Sequence, residues 1–279
     1  MKLIIHGGFF SESSTSLEVK IAKQNALKEI VAKGYEYLKS HTSVETVVYT
    51  VKLLEDNELF NAGLGSQIQS DGKIRMSASI HDGSNKKFSG VINVQNIQNP
   101  IELAKILMSE DDRVLGSEGA NEYASKNNFE YYNPELPQRR IEYEVKLKSK
   151  GLGTVGCVAI DKDGNLAAAT STGGKGFELV GRISDSATTA GNFANDFAAV
   201  SCTGVGEDIV SVALATKIVT RITDGMFIET AFKKSFEELK EFDGFAGAIA
   251  IDKFGNIFHQ DSFPYMVWAS FDEGLKCFE

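Results

Sequence analysis

Two hydrophobic rhythms alternate along the chain. The short apolar run at Leu3–Ile5 predicts a buried first strand. Ser11–Ser16 reads as a polar loop. Apolar residues then recur at helical spacing, at Ala22, Ala26, Ile30 and at Leu27, Val31, Leu38. Ser43 is positioned to cap a second helix carrying Val44, Val47, Val48, Val51 and Leu54. Gly63, Gly65 and an Asp71-Gly72 turn follow, then two strand-like stretches, IRMSASI and FSGVINV. Asn99-Pro100 opens a helix with proline at its first position, and Ser117 is placed to cap another.

From about Asn127 to Gly153 the pattern breaks. This stretch holds two of the four prolines and many charges, and reads as an exposed connector with a short helix in IEYEVKLK. Strands then return, with Asp163-Gly164 joining two of them in a hairpin. Helices are expected at about Glu207–Thr223 and Glu229–Glu241. AIDKDGN at 159–165 is echoed by AIDKFGN at 250–256. Two hairpins with similar turns explain the echo better than a true repeat. Strands precede helices on both sides of the connector, which suggests stacked sheets with helices outside rather than a βαβ alternation.

Composition narrows the function class. The 279 residues are 42% hydrophobic and 24% charged, an ordinary globular balance. A net charge of −9 argues against nonspecific binding to nucleic acid or to an anionic membrane surface. Three scattered cysteines, Cys157, Cys202 and Cys277, form neither a disulfide framework nor a zinc pair. No run of 18 apolar residues predicts a transmembrane helix. The first apolar run is short for a signal peptide, so a cytoplasmic location is expected.

The candidate chemistry lies at GLGT, residues 151–154. Gly153 precedes Thr154 just where a strand begins. A threonine hydroxyl needs a base, and no His lies nearby in a triad motif. An N-terminal threonine carries its own base, an α-amino group with a pKa near 8. That requires cutting Gly153–Thr154, and glycine before the bond leaves the carbonyl uncrowded. For an isolated Gly-Thr the plainer explanation is a threonine that favours a strand start. Other signals are weaker still. GGKG at 173–176 has Gly176 where a phosphate-binding loop needs Ser or Thr, GLGSQI is not GxGxxG, and no carboxylate and His cluster has metal-ligand spacing. His6, His41, His81 and His259 read as structural or exposed.

The wider constellation changes the balance. GLGTVGCVAIDKDGNLAAATSTGG, GRISDSATTAGNFAN and SCTGVGE occur in that order. HGG at 6–8, LLEDNELFNAGLGS at 53–66 and SASIHDG at 77–83 precede them. Together they resemble the threonine-dependent asparaginase and isoaspartyl peptidase family of N-terminal nucleophile hydrolases, over nearly the whole chain. The resemblance implies an α+β fold, a four-layer αββα sandwich, in one domain split by self-cleavage into residues 1–153 and 154–279. The two pieces stay together, usually within a dimer of such units.

It also implies roles. Thr154 attacks the Gly153 carbonyl, an N-to-O acyl shift gives an ester, and water releases the new N-terminus. Thr172 holds the nucleophile by hydrogen bonds. Thr203 and Gly204 suit an oxyanion hole. Arg182 clamps the substrate α-carboxylate, Asp185 receives its ammonium, Gly206 lines the same site, and Asn61 supports it. The loop with Leu54, Glu55, Asn57, Phe60, Ala62 and Leu64 resembles one whose carbonyls hold a sodium or potassium ion. No other cofactor is implied, and the partner is a small amino acid or dipeptide. Taken alone, Leu54 and Phe60 read as core residues, and an Arg and Asp three apart as a surface pair.

Several positions depart from the family's pattern. Phe9-Phe10 stand where a small residue is usual after HGG. Ser184 replaces a glycine, Ala187 a proline, the segment 188–200 is shortened, and HQDSFPYMVW differs near the end. These bear on maturation rate and substrate range more than on reaction type. A glycosylasparaginase, a taspase-like endopeptidase and an uncut, noncatalytic homologue are the alternative readings.

Overall fold

The computed structural model describes residues 1–9, 16–145, 153–242, 245–262 and 266–279. Its strands are Lys2–Phe9 (β1), Met76–Asp82 (β2), Lys87–Val94 (β3), Val114–Gly116 (β4), Val155–Ile160 (β5) and Leu166–Thr172 (β6). Asn192–Ala194 (β7), Ala198–Gly204 (β8), Ala246–Asp252 (β9), Ile257–Asp261 (β10), Met266–Phe271 (β11) and Leu275–Cys277 (β12) follow. They build an eight-stranded sheet, ordered β12-β11-β1-β5-β6-β2-β3-β4, and a four-stranded sheet, β10-β9-β8-β7. The helices are Leu17–Leu38 (α1), Ser43–Glu55 (α2), Pro100–Leu107 (α3), Ser117–Lys126 (α4), Pro137–Glu144 (α5), Gly206–Val212 (α6), Leu214–Thr223 (α7) and Ile228–Leu239 (α8). The protein is thus a mixed α+β fold. Among the described residues, no helix is long and apolar enough to cross a membrane.

Strand alternation sorts the side chains into three cores. Leu3 and Ile5 of β1, Val155, Cys157 and Ala159 of β5, and Ala167 and Ala169 of β6 pack with Leu27, Val47, Val51 and Leu103 from the helices. The residues between them, Ile4, Val158, Ile160, Leu166 and Ala168, meet Ala199 of β8 and Ile249 and Ile251 of β9 across the gap between the sheets. Val200 and Cys202 of β8 face the other way, onto Leu214, Ile218 and Phe232 of α7 and α8. One parity of β1, β5, β6 and β8 therefore points into the inter-sheet space. His6, Thr154, Thr170, Thr172, Ser201 and Thr203 all have that parity.

Several element boundaries differ from the sequence expectations. Thr42, not Ser43, caps α2: it accepts the Glu45 N–H while the Glu45 carboxylate reaches back to Thr42. Ser117 is the first residue of α4, with φ +48°, and Gly116 precedes it. The connector's helix starts at Pro137 and ends at Glu144, and Lys146–Lys150 lie outside the described residues. The helix expected from Glu207 to Thr223 is two, broken at Ala213 in left-handed backbone with φ 52°. The polar loop at Ser11–Ser16 lies outside the described residues except Ser16, which caps α1.

Candidate active site

The register of β5 and β6 builds the first part of the site. Val155 pairs with Ser171, so Thr154 stands opposite Thr172 just beyond the ladder. The Thr154 hydroxyl donates to the Thr172 hydroxyl at 3.1 Å, and the Gly174 N–H donates to that same Thr172 oxygen at 3.2 Å. Both threonines are buried. Gly153 has its carbonyl against the Asn61 N–H at 3.1 Å. A side chain on Gly153 would bring a Cβ within 2.7 Å of the Asn61 Cβ, so only glycine fits. Asn61 is itself held on three sides. Its carbonyl accepts from Gly173 N at 2.9 Å, its side-chain amide donates to Gly174 O at 2.5 Å, and its side-chain oxygen accepts from Gln67 N at 3.0 Å.

Beneath Thr154 runs a buried polar chain that composition and motif reasoning did not single out. His6 Nδ1 lies 3.1 Å from the Thr154 carbonyl, His6 Nε2 lies 2.9 Å from Ser201 Oγ, and Ser201 Oγ lies 2.7 Å from Thr170 Oγ1. A carbonyl only accepts, so Nδ1 carries the proton. Nε2 then accepts from Ser201, and Thr170 must donate to Ser201. Burial pushes the His6 pKa down to about 3 against the hydrogen bond it donates to the Thr154 carbonyl; burial keeps the ring neutral and that bond fixes the tautomer. His6 is therefore a satisfied structural histidine at the floor of the site. Gly156 makes the chain possible, since a Cβ there would fall 2.0 Å from Ser201 Oγ and 2.4 Å from His6 Nε2.

The remaining HGG residues have packing reasons. Gly7 yields to the Phe60 ring, and Gly8, at φ 80°, sits in the bulge where β1 shifts register against β11. Phe9 is buried in the inter-sheet core, edge-on to Phe245 at 5.3 Å. Phe10 lies outside the described residues, as do Phe263, Pro264 and Tyr265 of the HQDSFPYMVW stretch.

Across the inter-sheet space, β8 ends in Thr203 and Gly204. Among the described residues the buried Thr203 hydroxyl has no hydrogen-bond partner, although such groups are normally satisfied. Gly204 has φ +138°, and a Cβ there would meet the Phe245 carbonyl at 2.4 Å. Next to it, Arg182 and Asp185 converge on Gly206. A Cβ on Gly206 would sit 2.7 Å from Arg182 Nη2 and 2.7 Å from Asp185 Oδ1. Asp185 is buried: Ser184 Oγ donates to Oδ1 at 3.1 Å, while Oδ2 has no hydrogen-bond partner among the described residues. Burial pushes the Asp185 pKa up to about 6, partly offset by Arg182 and the Ser184 hydrogen bond. The Arg182 guanidinium forms a forked pair with Glu207 at 2.9 and 3.3 Å.

The structure links Thr154 with Thr172, and Gly153 with Asn61, at the end of β5, and sets Arg182 and Asp185 against Gly206, just beyond Thr203 and Gly204 of β8. Leu54 and Phe60 are buried core residues; Leu54 and Glu55 close α2, and Asn57, Ala62 and Leu64 lie in the loop after it on both sides of Asn61, where the Leu64 N–H donates to the Glu55 carbonyl at 2.7 Å. Sequence reading had His6 as structural, as it is, but missed its partners Ser201 and Thr170, and missed Glu207. Strand parity could have found the two partners, because each is a polar residue at an inward position.

The family profile described as asparaginase matches residues 1–276. The chain is 43% identical to the isoaspartyl peptidase/L-asparaginase of Synechocystis sp. over 96% of its length and 87% of the relative's. It is 34% identical to the isoaspartyl peptidase of Escherichia coli, over 91% of this chain and 88% of that one. It is 32% identical to the plant-type L-asparaginase of Pyrococcus horikoshii, over 98% and 97%. With a match of this extent, the chain belongs to the asparaginase family and is an enzyme of that family.

Proposed function

We propose that the chain cuts its own Gly153–Thr154 bond and that the freed Thr154 hydrolyses β-aspartyl amide bonds, in isoaspartyl dipeptides and in L-asparagine. The observation that carries this reading is the Asn61 N–H on the Gly153 carbonyl, directly beside the Thr154 hydroxyl. In self-cleavage the Thr154 oxygen bonds to the Gly153 carbonyl carbon and the C–N bond breaks. The hydroxyl proton ends on the new amine, and the Asn61 N–H faces the oxygen on which negative charge develops. Water then hydrolyses the ester, leaving a Gly153 carboxylate and the Thr154 hydroxyl.

In turnover the α-amine of Thr154 takes the hydroxyl proton and Thr172 holds the oxygen in line. The unpartnered Thr203 hydroxyl and the Gly204 N–H receive the charge on the substrate carbonyl. Arg182 and Asp185 grip the aspartyl carboxylate and ammonium across Gly206. Ammonia or an amino acid leaves, and water releases aspartate.

The three cores support reading the fold as the four-layer αββα sandwich of N-terminal nucleophile hydrolases; that the cleaved units pair and work in the cytoplasm is proposed from the family resemblance alone. A sodium or potassium ion held by the carbonyls of Leu54, Glu55, Asn57, Phe60, Ala62 and Leu64 is part of this reading, backbone oxygens being ligands such ions take; those of Leu54, Glu55 and Asn57 also accept from Asn57 N, Leu64 N and Phe60 N. The loop also curls tightly: a Cβ on Gly65 would meet the carbonyls of Phe60 at 2.8 Å and Glu58 at 3.0 Å. Such an ion would brace the turn that carries Asn61.

Kinetics on fully matured protein with β-Asp-Leu, β-Asp-Lys, β-Asp-Arg, asparagine and N-acetylglucosaminyl-asparagine test the assignment. The clamp grips what all share, so leaving-group contacts decide, and dipeptides offer more of them. The isoaspartyl dipeptides are expected to give the highest kcat/KM. A maximum for asparagine or the sugar conjugate would overturn the isoaspartyl reading and leave the threonine mechanism standing.

A further inference from the structure

We propose that Glu207 is a positioning residue that fixes the Arg182 guanidinium edge-on, so that its remaining donors face the substrate α-carboxylate across Gly206. This rests on Arg182 being the carboxylate clamp. A guanidinium has five N–H donors in one plane. Glu207 takes the Nε edge, with Nε on Oε1 at 2.9 Å and Nη2 on Oε2 at 3.3 Å. Both Nη1 hydrogens and one on Nη2 are left, and the Nη1–Nη2 edge presents two parallel donors, the geometry a carboxylate accepts.

The anchor is built. Lys175 Nζ also donates to Glu207 Oε1, at 2.7 Å. Burial alone would raise the Glu207 pKa, but the hydrogen bonds from Arg182 and Lys175 outweigh it and hold it down to about 2. The carboxylate therefore stays charged throughout the working range. Among the described residues Glu207 is the hydrogen-bond partner of the Arg182 side chain, whereas the Arg182 backbone is tied by Asn93 Nδ2 to its carbonyl at 3.0 Å.

The alternative partner for a released guanidinium is Asp185. Arg182 Nη2 and Asp185 Oδ1 stand on either side of the space that Gly206 keeps open. Without Glu207 the two would close on each other, and the ammonium and carboxylate subsites would be lost together. Glu207 thus keeps apart two opposite charges that would otherwise neutralise each other.

The test compares wild type, Glu207→Gln and Glu207→Asp on β-Asp-Leu and on its analogue with the aspartyl α-carboxylate replaced by a carboxamide. Wild type should prefer the carboxylate substrate by about 100-fold, the loss expected when a charged clamp goes unused. Glu207→Gln should raise KM for β-Asp-Leu about tenfold, leave kcat within about twofold, and shrink that preference about tenfold. Glu207→Asp, charged but one methylene short, should fall between. A merely structural role would not move the carboxylate preference. An unchanged KM and preference in Glu207→Gln, with the wild-type preference intact, overturns the proposal and leaves the clamp standing. A lowered KM would make Glu207 a competitor of substrate and overturns it too. Equal cleavage of both substrates by wild type overturns the clamp itself. Should Glu207→Gln fail to mature, Glu207→Asp decides by the same two readouts.

Discussion

The chain makes nearly the same hairpin turn twice, and the proposed chemistry uses it once. In the β5–β6 turn, Asp161 Oδ1 accepts from Asp163 N and Asn165 N at 3.0 and 2.9 Å, and Gly164 has φ +82°. In the β9–β10 turn, Asp252 Oδ1 accepts from Phe254 N and Asn256 N, both at 2.9 Å, and Gly255 has φ +79°. The turns match, but the far ends do not. Thr154 faces Thr172 across the first hairpin, with its carbonyl held by His6. Phe245, at the equivalent place in the second, packs its ring on Phe9 and gives its carbonyl to Val205 N at 2.9 Å. Turn chemistry specifies a hairpin and nothing about reaction. What differs is the strand end: one presents a hydroxyl to the inter-sheet space, the other supports the backbone entering α6.

The largest expected effect breaks the difference at Thr172. Thr172→Val keeps shape and strand propensity but removes the acceptor shared by the Thr154 hydroxyl and Gly174 N. It should lower kcat by roughly 100-fold or more, the scale of a lost proton-transfer contact, while Thr172→Ser should keep most activity. Wild-type kcat in matured Thr172→Val would remove Thr172 from the reaction.

A smaller effect lies in pH. In the proposed clamp Asp185 binds ammonium only when ionised, and burial holds its pKa up at about 6. Below that pH it carries a proton and is neutral. KM for β-Asp-Leu should therefore rise as pH falls through about 6, up to tenfold per unit once protonation dominates. Steady-state kinetics between pH 5 and 8 follow it, and a flat KM would detach Asp185 from the ammonium.

How far the sequence could be read tracks the same comparison. Asp-Gly turns, helical spacing and proline at a first helical turn announced most elements, because each is a local signal. Thr42 was readable from Glu45 three residues on, yet Ser43 is as good a cap by type. Ala213 gave no warning of the break between α6 and α7, since alanine rarely adopts a left-handed backbone. In the site, Gly153-Thr154 and the Arg182–Asp185 pair were legible only as parts of a longer motif. The His6–Ser201–Thr170 chain joins residues 195 and 31 apart, so only a folded register brings it together. Glu207 was hidden for a different reason: on a sequence it reads as one more surface charge.

The smallest effect checks that the two turns are equivalent scaffolds. Gly164→Ala meets nothing within 4 Å, and Gly255→Ala meets only the flexible Lys2 side chain, at 3.2 Å. Each should cost about 1 kcal/mol from its left-handed backbone alone, lowering Tm by about 2–4 °C with kcat unchanged. A stable Gly164→Ala that loses activity would show that this turn does more than connect strands.

The central claim is that the first hairpin's strand end is a nucleophile in waiting. Intact-mass measurement of freshly purified protein, followed over prolonged incubation without protease, tests it most directly. Wild type should divide into residues 1–153 and 154–279, with hydrolysis of β-Asp-Leu rising in step, and Thr154→Ala should remain whole and inactive. A wild-type chain that stays in one piece and yet hydrolyses β-Asp-Leu would contradict the account.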